Sequence, residues 1–423
     1  MLMMESKTTA DQPVGLAAGR VATAQYEQIA ATSRSDLPWV ANGFETYRAT
    51  LKNLPNVFAW NESNALLESV GILGHSVCLR RMQSLLNVIN RYDAKLSFAM
   101  RSSFERLSPA ARARLILAPE TIYRIWHFTK TPAESVKAAC GFLNAESALD
   151  EPASDKRGRY WTALGDFYYA DGAPSEVRAR AQLKWAPNEP YCAPRLAQAI
   201  PIDFYSPNVA HAKETTVASD FLPFSDEEMS LVRERLEDAF DRISKVSQAA
   251  ALLIEQFVRV IIPLKVSSGV GSTSERSFPG RVILQGVERA TSARIAAALV
   301  HEAIHQLLYI LEFEGRFVVI EPEERVKSLW TGRPLELHSF FHACFVWYGL
   351  ANFWALAQKV DAFDPEEANR RMNECLKGFR GRNPVDAIVA PPGAVRGDAL
   401  QVASTLQQRL QALTTSSSSA TVN

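Results

Sequence analysis

Apolar residues recur at intervals of three and four along most of the chain, which is the period of an amphipathic helix. One such pattern covers residues 225–258, where Ser225 and Glu228 have the spacing of a capping box at the helix start. β-Branched runs at residues 258–266, 279–286 and 316–321 instead predict strands. The sequence therefore predicts a predominantly helical α+β protein.

Changes in this pattern divide the chain into segments of different character. The predicted segments are residues 1–15, disordered; 16–128, a helical N-terminal region; 129–224, a mixed linker and cover region rich in Gly and Pro turns; 225–413, the main C-terminal domain; and 414–423, a disordered Ser/Thr tail. We expect the functional groups in the C-terminal domain, because its predicted helices combine apolar residues with clustered histidines.

One helix, predicted to begin after Thr291 or Ser292, combines an apolar sequence with His301, Glu302 and His305. Residues four apart lie on the same helix face, so the two imidazoles can converge on one cation. Glu302 projects from nearly the same side. Burying these groups in an apolar helix is costly unless something pairs with them. This HExxH spacing is used by zinc peptidases, and it predicts His301 and His305 as metal ligands within a zincin-like domain.

A second histidine pair lies in an apolar helix predicted over residues 335–360. His338 and His342 again have i, i+4 spacing, and four of the chain's seven histidines lie within residues 301–342. One of the pair can be a third ligand while the other supports it from outside. His342 stands deeper in the apolar helix and is the predicted ligand, with His338 as the alternative. Three neutral imidazoles suit either catalytic zinc or non-haem iron.

Composition excludes several classes of partner. Lys+Arg and Asp+Glu number 46 each, so no excess of positive charge points to nucleic acid or an anionic membrane. No apolar run approaches the roughly 20 residues of a membrane span, and the N-terminus lacks the apolar core of a signal peptide. The five scattered cysteines are typical of reduced thiols. We therefore expect a cytoplasmic protein that binds neither nucleic acid nor membrane, with its oligomeric state left open.

Two types of zinc peptidase fit the rest of the sequence poorly. A metzincin site needs Gly at 308 and His at 311, where this chain has Leu308 and Leu311. A gluzincin-type site needs a glutamate on a later helix. Glutamates occur in the turn at 321–324, but Pro322 disfavours a helix there. In the gluzincin scheme, Glu302 would be the general base for a zinc-bound water.

Several sequence blocks resemble bacterial HExxH-motif proteins associated with the modification of ribosomally made peptides. The blocks are residues 107–115 with Pro119, 222–225, 277–284, 298–305, and 330–335 followed by 342–347. The resemblance is best over residues 277–350, and the last two blocks are the specific ones. Members of this group look like iron(II)- and 2-oxoglutarate-dependent peptide β-hydroxylases. The resemblance thus implies hydroxylation of a Cβ position in a ribosomally synthesised precursor peptide.

The resemblance also implies roles for individual residues. Iron(II) would be held by the two HExxH histidines and His342, and the far carboxylate of 2-oxoglutarate would pair with an arginine. Arg333 is the predicted partner, because arginine binds carboxylates bidentately, and Arg281 is the second choice. Glu302 would then orient a ligand or bind a substrate amide. The alternative function is a gluzincin-type zinc metallopeptidase with Glu302 as general base.

Overall fold

The computed structural model describes most of the chain. The described residues are 43–60, 64–126, 132–150, 158–170, 181–187, 189–216, 220–381 and 383–419. Among them helices predominate and the strands are short, which confirms the predicted predominantly helical α+β class. The predicted disordered segment 1–15 lies outside the described residues.

Helices make up the first part of the described chain. They are α1 (Gly43–Val57), α2 (Asn64–Tyr92), α3 (Ala94–Arg106), α4 (Pro109–Leu117), α5 (Pro119–Trp126) and α6 (Pro132–Asp150). Ser108 followed by Pro109 is typical of a helix start, and α4 begins there. The Ser108 hydroxyl accepts a hydrogen bond from the Ala111 N–H, and Pro109 occupies the first turn, where its missing N–H costs nothing.

The middle region is built from short strands. Its elements are β1 (Tyr160–Trp161), β2 (Phe167–Tyr169), β3 (Tyr191–Cys192), β4 (Arg195–Leu196), β5 (Ile200–Pro201), α7 (Pro207–Thr215) and β6 (Phe221–Leu222). β1, β2 and β3 form an antiparallel sheet, and β4 pairs with β5. Buried Asp166 lies 2.8 Å from a guanidinium nitrogen of Arg114 and 2.5 Å from one of Arg195. These ion pairs connect α4 to the region that follows it.

The C-terminal region carries the main sheet and the histidine helices. Its elements are α8 (Asp226–Val246), α9 (Gln248–Phe257), β7 (Val260–Val266), β8 (Gly271–Thr273), β9 (Arg281–Gln285), α10 (Ser292–Leu311), β10 (Val326–Lys327), β11 (Pro334–Leu335), α11 (Leu337–Ala357), α12 (Pro365–Leu376) and α13 (Gly397–Ser419), with 3₁₀ turns at Val287–Arg289, Lys377–Phe379 and Pro384–Ala387. The strand order is β6-β7-β9-β8, with β7 parallel to β9 and β8 antiparallel to it. β8 therefore lies at an edge of this sheet.

The helix predicted over residues 225–258 is two helices. The predicted capping box of Ser225 and Glu228 is present at the start of α8. At Ser247 the backbone becomes extended, and its hydroxyl accepts a hydrogen bond from the Ala250 N–H at the start of α9. A serine competes for backbone hydrogen bonds, and here it ends one helix and caps the next.

Two other predicted boundaries differ from the structure. The segment 316–321, predicted as a strand, forms only an isolated bridge between Val318 and Val395. The N–H of Phe317 is bound by a side chain and not by a neighbouring strand, so the ladder does not extend. α13 continues to Ser419, into the tail predicted to be disordered, because Ser and Thr cost a helix only about 0.5 kcal/mol each.

One hydrophobic core joins α1 and the start of α2 to the C-terminal helices. α10 lies in this core and contacts α2, α8, α9 and α11. Leu299, Val300, Ile304, Leu307 and Leu308 on α10 are fully buried. Burial of each such side chain contributes roughly 1.5–3 kcal/mol. The core therefore fixes the helix that carries the HExxH motif.

α11 is the most apolar of the helices described. Among the described residues it is the one helix long and apolar enough to cross a membrane, but 78% of it is buried within the protein. Its N-terminal half carries His338 and His342, and Gly349 allows it to approach Ile304 on α10 closely. This burial is that of a core helix.

Candidate metal centre

The HExxH residues lie together on one face of α10. The Thr291 hydroxyl caps the helix by accepting from the Arg294 N–H, as the sequence predicted. His301, Glu302 and His305 each offer a ligand atom within 4.8 Å of the others. The two imidazole centroids are 5.0 Å apart. The expected convergence of these side chains is therefore present.

A second group of ligand atoms forms where α11 packs beside the end of α10. It consists of His338, His342 and Glu312, whose ligand atoms also lie within 4.8 Å of one another. His338 Nε2 is 2.7 Å from Glu312 Oε2, and His342 Nε2 is 3.3 Å from the same oxygen, outside hydrogen-bond alignment. The other carboxylate oxygen accepts from the Phe317 N–H at 3.0 Å. The sequence analysis missed Glu312.

The two groups meet at a contact between His305 and His342. Their Nδ1 atoms are 3.3 Å apart. Two nitrogens bound to one metal ion at about 2.1 Å lie roughly 3.0–3.4 Å apart, so this spacing fits a shared ion. Of the predicted ligands, His301 and His305 belong to the first group and His342 to the second. The structure therefore brings His342 to His305, while His301 and His342 remain in separate groups.

His338 is held differently from His342. Its Nε2 points to Glu312, and its backbone N–H donates to the Glu321 carboxylate at 3.2 Å. Glu321 also accepts from the Leu337 N–H, so it caps the start of α11. This geometry favours His342 over His338 as the residue facing His305. It also gives Glu321, a candidate zinc ligand in the gluzincin scheme, a capping role.

Burial lowers the pKa values of the histidines at the centre of the cluster. The pKa of His305 lies well below its usual value because the ring is buried, with the other imidazoles adding to the effect. Burial also lowers the pKa of His342 to about 4, and the Glu312 carboxylate only partly offsets this. Both rings are therefore neutral near pH 7, the form in which histidine binds metals.

Glu312 is ionised in spite of its burial. Burial alone would raise its pKa, but the hydrogen bond with His338 and the charge interactions with His338 and His342 outweigh this and hold the pKa well below the usual value. Arg276 Nε lies 3.9 Å from the same carboxylate oxygen. The carboxylate fits a supporting role, in which it holds His338 by a hydrogen bond and lies beside His342.

Glu302 is buried with one carboxylate oxygen 3.9 Å from His301 Nε2. Among the described residues, its other oxygen, Oε2, has no hydrogen-bond partner. Tyr309 stacks on His305 with ring centroids 5.8 Å apart, and burial followed by the charge of Glu302 raises the pKa of its hydroxyl. An orphaned buried oxygen beside two imidazoles fits a group that binds at this centre.

We define the polar end of the groove between α10 and α11 by His305, Tyr309, Glu312, His338 and His342. The loop 274–276, which follows the edge strand β8, lies against this end: Arg276 Nε is 3.9 Å from a Glu312 oxygen, and Ser274 lies beside the Tyr309 hydroxyl. The loop carries no periodic signal in the sequence, so neither residue was predicted.

Arg281, the second choice for the cosubstrate, fixes that loop. Its guanidinium is buried 3.0 Å from a Glu275 oxygen and 3.6 Å from one of Glu120, and it lies over the Phe278 ring. Desolvation lowers its pKa, and the two carboxylates oppose this. Arg281 thus connects the loop to α5 of the N-terminal region.

Arg333, the first choice, is exposed in the hairpin turn between β10 and β11. Its backbone C=O accepts from the Ser328 N–H, closing the turn. Nearby Trp330 is buried, donates its indole N–H to the Cys375 carbonyl and stacks on Trp347. In the part of the chain that the structure describes, the basic side chain seen to reach the histidine cluster is Arg276.

The fold and the site define a predominantly helical α+β protein with a buried cluster of imidazoles and carboxylates. Neutral imidazoles in this arrangement fit a divalent transition-metal ion. A search against models of protein families found no match, and neither did a search of curated proteins.

Proposed function

We propose that this chain is an iron(II)- and 2-oxoglutarate-dependent hydroxylase that acts on a Cβ position of a ribosomally synthesised precursor peptide. The observation that carries the proposal is the contact between His305 of the HExxH motif on α10 and His342 on α11. The resemblance found in the sequence supplies the choice of metal and cosubstrate. In this proposal residues 225–413 form a zincin-like catalytic domain.

In the proposed enzyme His301, His305 and His342 hold the iron. Together with 2-oxoglutarate and oxygen, the bound iron supplies the oxidising chemistry, and the overall reaction converts C–H to C–OH while 2-oxoglutarate becomes succinate and carbon dioxide. Glu312 and His338 keep His342 in a fixed orientation. Glu302 presents its free oxygen to a ligand or to a substrate amide.

The cosubstrate needs a cation for its far carboxylate. Arg333 was predicted for this role, but its side chain is exposed on the surface of the hairpin. Arg281 is already committed to two carboxylates. Arg276 is one-third exposed and lies at the polar end, so its position supports it as the third candidate.

A zinc-dependent peptidase is the second candidate function. It is favoured by one observation, the position of the Glu302 carboxylate 3.9 Å from His301 Nε2 with a free oxygen. A carboxylate at this place can take a proton from a metal-bound water. In this alternative the metal is zinc and the product is a cleaved peptide.

The two functions are separated by an assay under controlled oxygen. The protein is purified without oxygen, loaded with iron(II) and given 2-oxoglutarate, and then oxygen is admitted. We expect succinate to form slowly without peptide, and faster with a short precursor peptide encoded beside the gene. Mass spectrometry should then find the peptide heavier by one oxygen atom. Cleaved peptide with zinc, independent of oxygen, would replace the hydroxylase with the peptidase.

A further inference from the structure

A cavity of about 190 Å³ continues the groove between α10 and α11 beyond the metal cluster. Two helices form most of its walls: α10 contributes Ile295, Ala298 and His301, and α11 contributes Trp347, Leu350 and Trp354. The edge strand β8 and the helix α12 complete the lining. We call this cavity the apolar end of the groove. Its lining is mainly aliphatic and aromatic, in contrast to the polar end.

The cavity leads to the metal histidines along a single helix face. Arg294, Ala298, His301 and His305 follow one another at helical spacings of four, three and four, so they share one stripe of α10. His301 lines the cavity and its side chain is 30% exposed, whereas the His342 side chain is 1% exposed. Because Glu312 and His342 at the polar end are buried and His301 faces the cavity, a substrate reaches the cluster from the apolar end.

The charges at the mouth of the cavity are already engaged. Arg294 donates to the Val270 carbonyl at 2.7 Å. Arg371 lies 2.9 Å from Glu367 and 3.7 Å from Glu374. Two carboxylates thus balance Arg371, and the mainly apolar lining favours a neutral occupant. An apolar cavity of about 150 Å³ is large enough for benzene, so this one has room for an aromatic ring.

The remaining wall is the edge strand β8. Gly271 and Ser272 line the cavity, and among the described strands β8 pairs only with β9. An exposed strand edge can bind an extended peptide through main-chain hydrogen bonds, with neighbouring pockets selecting its side chains. The main chain and the cavity thus offer two parts of one binding site.

We infer that the cavity binds a large apolar or aromatic side chain of an extended peptide whose main chain lies along β8. The inference rests on the proposed function, since it takes the substrate to be a peptide. It adds a specificity: the residue next to the modification site carries a bulky apolar side chain. An acidic side chain is disfavoured, because its carboxylate would lie in a mainly apolar cavity that Glu374 also lines.

The test uses neutral probes and the full-length, metal-free protein. Saturation-transfer NMR compares N-acetylphenylalanine N-methylamide with N-acetylalanine N-methylamide. We expect the phenylalanine probe to bind at least tenfold more tightly. Ala298→Phe fills the cavity and should lower the affinity for that probe at least tenfold. Ala210→Phe, on the exposed face of α7, is the matched control and should leave it unchanged.

Ala298→Leu is a milder variant that gives the same test if Ala298→Phe does not fold, and it should produce a smaller loss of affinity. Equal affinity for the two probes, or wild-type affinity in a folded Ala298 variant, would overturn the inference. Metal binding is measured on separate portions of the same preparations, incubated with iron(II) without oxygen. A chain that selects the phenylalanine probe but binds no metal refutes the proposed function alone, and one that binds iron without selecting the probe refutes this inference alone.

Discussion

The polar and apolar ends of the groove between α10 and α11 are made by the same two helices and have opposite properties. At the polar end, ionised Glu312 and the neutral rings of His305 and His342 lie beside the loop 274–276. At the apolar end, Trp354 and its aliphatic neighbours line an open cavity. His301 lies between them. The comparison shows how one pair of helices can serve two needs. A metal site needs side chains held in a buried, rigid arrangement, whereas a substrate needs an opening through which to enter.

The largest expected effect tests whether the polar end holds the metal. His305→Ala and His342→Ala should remove bound iron, because each deletes a nitrogen from the central contact. His338→Ala should leave the metal bound but weaken its affinity about 10–100-fold, the usual effect of a supporting residue. Metal analysis after dialysis measures this. His211→Ala, which removes a contact with Glu120 away from the cluster, is the control. If His338→Ala strips the metal and His342→Ala does not, the third-ligand role passes to His338.

The next effect concerns the loop beside the polar end. Arg281→Met should destabilise the fold by about 3 kcal/mol, because Glu120 and Glu275 would lose a buried counter-charge. Urea unfolding measures the change. Arg333→Met alters an exposed arginine and should change stability by less than about 0.5 kcal/mol. Equal effects of the two substitutions would show that Arg281 does not fix the loop.

A buried histidine outside the groove sharpens the comparison. Burial, with the charges of Arg259 and Arg112, lowers the pKa of His75 from 6.5 to about 4. The folded state therefore keeps this ring neutral, and the resulting stability is lost as the pH falls from about 6.5 towards 4. The loss at pH 4 is about 3 kcal/mol. His75→Leu should flatten this part of the stability curve, measured by thermal unfolding across that range. An unchanged loss of stability between pH 6.5 and pH 4 in this variant would contradict the prediction.

The smallest expected effect concerns the support of His342. Glu312→Gln keeps the size of the side chain but removes its charge, so the His342 ring loses the carboxylate that orients it. Metal affinity should fall about 10–100-fold with little change in the folded structure. Competition with a chelator measures the affinity, and exposed Glu324→Gln serves as control. Unchanged affinity would restrict Glu312 to packing.

The HExxH helix was predictable because its information is local. The period of the apolar residues, the Thr291 cap and the i, i+4 histidines all lie within one helix. Glu312 was missed although it stands seven residues after His305, two turns along the same face. Its role depends on contact with α11, which spacing within one helix does not reveal. A search of the same face of α10 beyond the HExxH motif would have found Glu312.

Other parts of the site depend on contacts distant in sequence. Arg276 reaches the cluster because Arg281 holds the loop, and no pattern in residues 267–280 signals this. Arg333 is the opposite case. It lies in a specific sequence block, but its side chain is exposed on the hairpin. A serine in a helical run can either continue the helix or cap the next one, and Ser247 does the second. Spacing alone does not separate these.

The turn after α10 binds α11 at two points. Glu312 holds the His338 ring, and Glu321 holds the His338 backbone N–H. Surface loops commonly tolerate insertions and deletions during evolution. The turn after α10 carries two carboxylates that both bind His338. A change in its length would therefore move the histidines of α11 relative to those of α10. We therefore expect descendants of this sequence to vary the composition of the turn while keeping its length.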